Sequence, residues 1–304
     1  MAELQRQDGD RWEIGLGDDR YPARLRDLEN PPEVLRGIGD PDVLQTMCLG
    51  VIGARKATPY GLTVARRAGR IAAESGITLV SGGARGCDVA AARGALEAGG
   101  RTIVVSGVGA DRIYPRTSSD VFERAAAGAG AVVSLCPWGQ EVQKFAFLRR
   151  NEVIAALSTA LVVSEAGQRS GTSSTASKAF ELGREVYAIP GSIFSPESRG
   201  SNELIRDGAT IIASEEDLEM LISRDFGVLR MVCERPATPR GRVLSALVAS
   251  PMRADDLANQ LGEDPLEMLR ILADYEVCGV VERLPDGRYS PTQETLLSSD
   301  RIGG

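Results

Sequence analysis

Residues 49–61 read LGVIGARKATPYG, and residues 78–88 read TLVSGGARGCD. In each stretch a short apolar run ends in a glycine-rich turn, and the residues that follow have the apolar periodicity of a helix. A strand, a glycine turn and a helix in succession are typical of the βαβ unit, in which a helix connects two parallel strands. These units predict a parallel sheet with both faces covered by helices.

The same alternation continues over residues 48–225, which we predict to form one α/β domain with an extended Rossmann-like parallel sheet. The predicted strands are Leu49–Ala54, Thr78–Ser81, Thr102–Ser106, Ala131–Leu135, Leu161–Ser164, Glu185–Ile189 and Thr210–Ala213. The predicted helices are Pro59–Glu74, Asp88–Glu97, Ser119–Ala127, Arg149–Leu157, Ser173–Leu182, Asn202–Arg206 and Glu215–Ile222.

The segments on either side of this domain have other patterns. Tyr21-Pro22 and Asn30-Pro31-Pro32 favour extended backbone with little helix before the first strand. After the domain, three short helical patterns and a hairpin pattern in about fifty residues predict a winged helix. The predicted organisation is an N-terminal extended arm over 1–47, the sheet domain over 48–225, a linker over 226–239, a winged-helix domain over 240–292 and a tail over 293–304.

The composition excludes several classes of site. The 304 residues include no histidine, which excludes Ser-His or Cys-His nucleophile pairs and histidine-bound metals, so we predict no catalytic residue and no metal site. The five cysteines are scattered without a C-x-x-C motif, which indicates reduced core thiols in a cytoplasmic protein. The N-terminus lacks the apolar run of a signal peptide, and no apolar stretch is long enough to span a membrane.

Nucleotide-binding fingerprints are also absent. No G-x-G-x-x-G motif follows the first predicted strand, and no G-x-x-x-x-G-K-[ST] motif occurs. We therefore predict no dinucleotide or ATP cofactor. The formal net charge of −7 argues against a protein coated in positive charge, but a local basic groove can lie on an acidic chain.

Glycine turns follow five of the predicted strands, and two of these turns carry arginine. The carboxyl ends of parallel strands share one edge of a sheet, and ligands bind there. Backbone N–H groups at helix starts attract anions, and arginine adds a full charge beside them. The alternative is that the glycines only shape the turns. We predict a phosphate-binding edge formed by Gly53, Arg55, Lys56, Ser81, Gly82, Arg85, Gly86, Ser170, Gly171 and Thr172.

A second cluster lies at residues 144–151, just ahead of the predicted helix that begins at Arg149. It mixes cations with aromatic rings, a combination that suits a groove tracking a nucleic-acid backbone. Phe145 and Phe147 either stack on a base or belong to the hydrophobic core, and the sequence leaves both readings open. From this cluster we add four binding residues to the prediction: Lys144, Arg149, Arg150 and Asn151.

These motifs, in this order, resemble the DNA-processing protein A (DprA/Smf) family over roughly residues 20–225. The chain departs from the family pattern at Ala92, where histidine is common, at Gly83 and Cys87, where aliphatic residues are common, and at Glu152, where another arginine is usual. The matching segments are Tyr21-Pro22 to Pro31-Pro32, 51–61, 81–88, 93–96, Tyr114-Pro115, 147–151 with Ile154, Glu165-Ala166, 170–172, 183–191 and 200–209.

The resemblance implies a non-catalytic homodimer that binds and protects single-stranded DNA without strong sequence preference. It also implies that the protein loads RecA onto that DNA during natural transformation. Carried over by position, Arg55 would bind phosphate, and Arg85, Arg149, Arg150 and the amides of residues 170–172 would line the same groove. Glu152 would then weaken the positive charge of that groove.

The third helix of the predicted winged helix, Pro265–Tyr275, is the one that enters the major groove in such domains, and it needs cations to do so. Here it carries Glu267 and Asp274 against Arg270. Phosphates would repel an acidic helix. We therefore expect this domain to serve protein contact or regulation rather than to be the main DNA-binding element.

Two other functions are compatible with the pattern. The Lonely-guy (lysine-decarboxylase-like) phosphoribohydrolases have a similar fold and a P-G-G-x-G-T-x-x-E signature, of which residues 170–175 keep Gly-Thr without the glutamate. Acid–base catalysis would then fall to Glu165 or Asp88. A third possibility is a transcription factor that acts through the winged helix, which requires sequence-specific binding to duplex DNA.

Overall fold

The structure is a computed structural model that describes residues 2–3, 11–168, 170–230, 239–292 and 295. The chain divides into two compact units, Met1–Met231 and Val232–Gly304. Most of the predicted linker over 226–239 and nearly all of the predicted tail over 293–304 lie outside the described residues.

The first unit consists of a large sheet, a small two-stranded sheet and the helices that cover the large one. Its strands are β1 (Ala2–Glu3), β2 (Arg11–Gly15), β3 (Val34–Gly39), β4 (Cys48–Ile52), β5 (Thr78–Ser81), β6 (Thr102–Ser106), β7 (Arg112–Ile113), β8 (Gly130–Ser134), β9 (Ser158–Val163), β10 (Glu185–Ala188) and β11 (Thr210–Ile211). Its α-helices are α1 (Pro59–Glu74), α2 (Cys87–Glu97), α3 (Ser119–Arg124), α4 (Lys144–Leu157), α5 (Gly171–Glu181), α6 (Arg199–Arg206) and α7 (Glu215–Phe226).

Within the described residues, the large sheet has nine strands in the order β11-β10-β9-β4-β5-β6-β8-β3-β2. Every neighbouring pair from β11 to β8 is parallel. The last two strands, β3 and β2, are antiparallel and form one edge. Strands β1 and β7 pair separately. The prediction of a mostly parallel α/β sheet is therefore confirmed.

The N-terminal segment differs from the prediction, because residues 1–47 do not simply precede the sheet. Strands β2 and β3 lie within this segment and extend the sheet beyond β8. Ile14 and Leu35 of these strands are fully buried. The prolines that suggested an extended arm lie in the connection between the two strands, where the hydroxyl of Tyr21 donates a hydrogen bond to the carbonyl of Pro32.

Several helices begin earlier than the sequence predicted, and two of them carry predicted binding residues. Helix α4 starts at Lys144 rather than at Arg149, so the cluster of cations and aromatic rings lies on the helix and not ahead of it. Residues 144–149 contain no glycine or proline, and nothing in them opposes helix. Helix α5 starts at Gly171 rather than at Ser173, which places Gly171 and Thr172 in its first turn.

The hydrophobic core has two layers, one on each face of the sheet. Helices α1, α2, α3 and α7 cover one face, and helices α4 and α5 cover the other. Alternate residues of β4 serve the two layers: Leu49 and Val51 pack toward α1 and α2, whereas Cys48 and Ile52 pack toward α4. This alternation is the period of two that a strand imposes on its side chains.

Helices α1 and α2 pack closely through glycines on both. A Cβ atom on Gly69 of α1 would lie 2.0 Å from the carbonyl oxygen of Ala91, and a Cβ atom on Gly94 of α2 would lie 2.0 Å from that of Arg66. Backbone atoms cannot move aside as the end of a side chain can. These glycines therefore set the distance between the two helices on one face of the sheet.

The second unit has its own core. It comprises α8 (Pro239–Ala249), α9 (Ala254–Leu261), α10 (Pro265–Val277) and an antiparallel hairpin of β12 (Val281–Arg283) and β13 (Tyr289–Pro291). Leu257, Met268 and Leu272 are fully buried between the helices. Three helices followed by a hairpin confirm the predicted winged helix.

We expect Gly94→Ala to destabilise the first unit by about 1–3 kcal/mol, because the added methyl group overpacks the α1–α2 contact. Gly17→Ala is the matched control, since a Cβ atom there meets nothing within 4 Å. Chemical denaturation followed by tryptophan fluorescence measures both, because Trp12 and Trp138 are the two tryptophans and both lie in the first unit. Equal midpoints for the two variants would contradict this account of the packing.

Candidate nucleic-acid interface

The order of the strands creates a cleft at the carboxyl edge of the sheet. From β4 the chain proceeds to β5, β6 and β8 on one side and then returns to β9 on the other side. The loops after β4 and β9 therefore diverge, and an open α/β sheet binds ligands at such a switch point. A cleft of about 800 Å³ lies there. Among the described residues that line it are four cationic side chains, Arg55, Lys56, Arg150 and Arg199, and two carboxylates, Asp88 and Glu197.

The cleft brings together many of the predicted binding residues, although not all of them. Gly53, Arg55, Lys56, Arg150, Asn151, Ser170, Gly171 and Thr172 line it. Gly82 and Arg85 line a small neighbouring pocket of about 40 Å³, which also includes Arg55 and Arg150. The sequence did not predict Gln168, Pro196, Glu197 or Arg199 as lining residues. The Pro190-Gly191 turn predicted where the strand ends. It did not predict which of the side chains after the turn would line the cleft.

The loop between β4 and α1 holds Arg55 and Lys56 in an exposed position. The buried carboxylate of Glu165, just beyond β9, fixes this loop. Thr58 donates to it twice, from its backbone N–H at 2.8 Å and from its hydroxyl at 2.5 Å. The N–H of Ala54 bonds to the carbonyl of Glu165 at 2.8 Å. The loop is thus anchored across the cleft, while the described residues offer Arg55 and Lys56 no ion-pair partner.

The loop between β5 and α2 packs directly against the loop that carries Arg55. Gly86 has a φ of +85°, and a Cβ atom on it would lie 2.1 Å from the carbonyl oxygen of Ala54. Only glycine permits both the conformation and the contact. Arg85 is consequently held in an exposed position beside Arg55. Ser81 differs from the prediction, because it is buried and its hydroxyl donates to the carbonyl of Val51.

Arg150 forms a buried ion pair beneath this loop. It is only 4% exposed, and its Nη1 lies 3.7 Å from Oδ2 of Asp88, which is 5% exposed. Burial raises the pKa of the Asp88 carboxyl, and the charge of Arg150 and the amides of Ala84, Gly82 and Gly53 oppose that rise. Burial likewise lowers the pKa of the Arg150 guanidinium. A Cβ atom on Gly82 would lie 1.2 Å from Nη1 of Arg150, so the guanidinium occupies the space that a side chain would take.

Phe147 stands between the exposed and the buried arginine. The guanidinium carbon of Arg55 lies 5.7 Å from the centre of its ring, and that of Arg150 lies 5.8 Å away. The ring of Tyr114 is 5.9 Å from it, at an angle of 59°. Phe145, by contrast, is 65% exposed. Neither phenylalanine belongs to the hydrophobic core, which removes one of the two readings that the sequence left open.

Arg149 lies apart from the cleft, although it is adjacent to Arg150 in the sequence. It donates to Glu152 at 2.6 Å and to the carbonyl of Asn30 at 2.9 Å. It also lines a separate pocket of about 430 Å³, together with Arg36 and Phe145. Consecutive helical residues point about 100° apart, so α4 directs its two arginines to different places. Glu152 is therefore paired with Arg149 rather than aimed at the cleft.

The opposite wall of the cleft is the start of α5. Ser170 is the residue before its first turn, Gly171 is exposed and Thr172 is largely buried. The side-chain amide of Asn151 reaches across from α4 to the carbonyl of Gly171 and the hydroxyl of Ser174, both at 3.4 Å. Asn151 thus connects the two helices that flank the cleft on this face of the sheet.

Asp88 and Glu165, the carboxylates that an acid–base mechanism would need, are both buried and engaged in holding loops. The described residues contain no group of three metal-ligating side chains. Among the same residues, no helix is both long and apolar enough to cross a lipid bilayer.

The sequence matches two family descriptions. Residues 13–223 match "DNA recombination-mediator protein A", and residues 234–287 match "DprA winged helix domain". Protein Smf of Synechocystis is 38% identical over 205 residues, which are 66% of this chain and 51% of that protein. This chain therefore spans about half of that relative. Protein Smf of Escherichia coli is 32% identical over 286 residues, 90% of this chain and 76% of that protein.

A solved structure extends the similarity to three dimensions. DNA processing protein A from Helicobacter pylori, whose structure describes a single-stranded DNA binding mode, has a TM-score of 0.66 and 29% identity to this chain. The similarity covers 74% of this chain and 100% of the other.

We expect Asp88→Ala to destabilise the protein by about 3–5 kcal/mol, because it leaves the buried charge of Arg150 without a partner. Arg55→Ala, which removes an exposed cation, should change the stability by less than about 0.5 kcal/mol. The double variant Asp88→Ala/Arg150→Met should be more stable than Asp88→Ala alone. Chemical denaturation measures all three, and equal losses from Asp88→Ala and Arg55→Ala would contradict the role of the ion pair.

Thiol reactivity should follow burial. Burial raises the pKa of Cys87, which packs under Gly53, to about 12 and that of Cys48 to about 11, whereas Cys278 is exposed. The thiolate is the reactive form, so at mildly alkaline pH a maleimide should modify Cys278 and spare Cys48 and Cys87. Peptide mass spectrometry measures each site, with protein unfolded in guanidinium as the control. Modification of native Cys87 would show that its packing against Gly53 opens to solvent.

Proposed function

Because the chain belongs to the DNA recombination-mediator protein A (DprA/Smf) family, we propose that it binds single-stranded DNA in the cleft at the carboxyl edge of its sheet. The observation that carries the proposal is the exposure of Arg55, Lys56 and Arg85 on loops that are anchored elsewhere. Cations that are fixed in position and are not paired with carboxylates can bind the phosphates of a polyanion. The Helicobacter pylori relative, a single-stranded DNA binder by its own description, supports this choice of ligand.

The strand would follow the row of loops rather than end in a closed pocket. Its phosphates would contact Arg55, Lys56 and Arg85, and the amides at the start of α5 would add neutral donors. Lys144, exposed at the first position of α4, would extend the path. Arg150 would act mainly from below, as the support of the loop that carries Arg85. We assign Arg149 no direct contact in the cleft, because Glu152 and Asn30 engage it.

The oligomeric state and the cellular role that we propose next are supported by the membership of this chain in the family. We propose that the protein forms a homodimer, protects single-stranded DNA and loads RecA onto it during recombination or natural transformation. We also propose that it is not an enzyme. The engagement of Asp88 and Glu165 in structural bonds supports this last point, because neither is available as a general acid or base.

The winged helix has a different role in this proposal. Helix α10 exposes Leu266, Leu269 and Val277 beside Glu267, and Asp264 caps its start. An exposed face that is apolar and acidic suits protein contact better than it suits the DNA backbone. We propose that the first unit carries the main affinity for single-stranded DNA.

The rival function is a phosphoribohydrolase that acts on nucleoside monophosphates. Incubation of the protein with AMP separates the two, because that enzyme would release adenine, which chromatography detects. A gel shift with labelled single-stranded and duplex oligonucleotides separates the proposed function from a duplex-specific regulator.

We expect Arg55→Ala to weaken the binding of oligo(dT) by about 1–3 kcal/mol, the range for hydrogen bonds to charged groups. The logarithm of the binding constant should fall linearly with that of the salt concentration, and the variant should lose about 0.7 from the slope for each phosphate contact removed. Fluorescence anisotropy of a labelled oligonucleotide, measured over a range of salt, provides both quantities.

The matched control is Arg224→Ala, which removes the same charge from the far edge of the sheet, where Arg224 lies 3.8 Å from Glu185 at the start of β10. It should leave both the affinity and the salt slope unchanged. If Arg55→Ala binds as tightly as the control while remaining folded, the assignment of the cleft is wrong.

A further inference from the structure

The loop that follows β10 presents an apolar tip to solvent. Its two central residues, Ile193 and Phe194, are 76% and 88% exposed. Phe194 is the most exposed aromatic residue among those that the structure describes. A full aromatic ring and a neighbouring branched side chain in water leave a large apolar area uncovered.

Both ends of this loop are fixed. The side chain of Asn202 accepts a hydrogen bond from the N–H of Gly191 at 3.1 Å and donates one to its carbonyl at 3.0 Å. At the other end, Ser198 is buried, and its hydroxyl lies 2.1 Å from where a Cβ atom on Gly191 would be. The N–H of Ser195 bonds to the carbonyl of Ser192 at 3.1 Å, which closes a turn around the tip. The exposed ring is therefore carried on an anchored turn.

The loop forms part of the wall of the cleft. Pro196 and Glu197, directly after the tip, line the cleft together with Arg55 and Lys56. The hydroxyl of Tyr60, a half-exposed residue at the start of α1, donates to the carbonyl of Pro190 at the base of the loop. The apolar tip is thus continuous with the surface that we propose binds DNA.

The charge of the loop decides which part of a strand can face it. Between Pro190 and Ser198 there is no cation, and Glu197 is the one charged residue. The next cation, Arg199, begins α6 and lines the cleft beyond the tip. The hydroxyl of Ser195 donates to the Glu197 carboxylate at 2.8 Å and lowers its pKa, so that Glu197 stays ionised. An ionised carboxylate repels phosphate, whereas Arg55 and Lys56 attract it. A strand whose phosphates lie on Arg55 and Lys56 would turn its bases, not its backbone, toward the apolar tip of this loop.

We propose that Phe194 is a base-stacking platform, on which one nucleobase of the strand lies while Ile193 covers the edge of the ring. Stacking on an aromatic side chain tolerates any base, because every base has a π-face. The proposal rests on the proposed function of the cleft and adds to it a contact with bases, where the cations contact only phosphates.

The test compares full-length Phe194→Ala and Phe194→Trp with a control, Phe180→Ala, which removes another exposed ring, near the C-terminal end of α5. We expect Phe194→Ala to weaken oligo(dT) binding roughly 5- to 150-fold, the loss for one stacked base. Its salt slope should equal that of the wild type, because no phosphate contact is lost. Phe194→Trp should restore the affinity, and its fluorescence should be quenched by the oligonucleotide more than that of the wild type.

An abasic oligonucleotide of the same length provides the second arm, since it offers phosphates without bases. The wild type and Phe194→Ala should bind it equally. Unchanged binding of oligo(dT) by Phe194→Ala, while Arg55→Ala binds weakly, would overturn the stacking proposal and leave the proposed function standing. A wild type that binds no single-stranded oligonucleotide at low salt would overturn both.

The same variants distinguish a base contact from a contact between two copies of this chain. If Phe194→Ala lowers the molar mass measured by light scattering, and its affinity falls equally for oligo(dT) and the abasic strand, the ring belongs to a protein interface and the stacking proposal is wrong. An unchanged thermal unfolding temperature is expected throughout, because the ring makes no core contact that its removal would break.

Discussion

The buried ion pair of Arg150 and Asp88 is the interaction on which the geometry of the cleft depends. Taking two charges out of water is costly, and their attraction offsets that cost only when each group is well placed. Asp88 lies in the first turn of α2, and Arg150 lies on α4, on the other face of the sheet. The guanidinium passes over Gly82 to reach its partner, so a single pair fixes the β5–α2 loop, α2 and α4 relative to one another. A small displacement of any of them would leave a buried charge unpaired.

Glu165 completes this arrangement with a different kind of bond. It accepts two hydrogen bonds from Thr58 and thereby holds the β4–α1 loop without touching its cations. The buried carboxylates of Asp88 and Glu165 are thus both engaged in structural bonds, one with a buried arginine and one with a threonine. No carboxylate in the described part of the chain pairs with Arg55, Lys56 or Arg85, so these cations are positioned but not neutralised by it, which is the condition that a site for phosphates requires.

The sequence predicted the mostly parallel sheet well, because the sheet follows from the alternation of strands and helices. The glycines after the strands add the prediction of a ligand-binding edge. It could not predict which of two neighbouring arginines faces the cleft. That depends on how α4 packs against the sheet, because consecutive helical residues point about 100° apart wherever the helix begins. Nor could it distinguish a glycine that approaches a ligand from one that packs, as Gly86 does against Ala54. Such contacts join residues that are distant in sequence, and their distances are set only by the folded chain.

The strands β2 and β3 escaped the prediction for a related reason. The prolines in residues 21–32 led to the prediction of an extended arm. They lie in the connection between β2 and β3, where they do not interrupt either strand. The strands on either side are short and gain their stability from the edge of the sheet that they join. Their formation is therefore a consequence of tertiary contact rather than of local preference.

The overall charge of the chain is a poor guide to what the cleft can bind. The net charge of −7 is spread over the whole chain, and at physiological ionic strength charges more than about 8 Å apart are largely screened. A phosphate in the cleft would therefore respond to the local excess of cations that line it. An acidic net charge is therefore compatible with the proposed binding of DNA in this cleft.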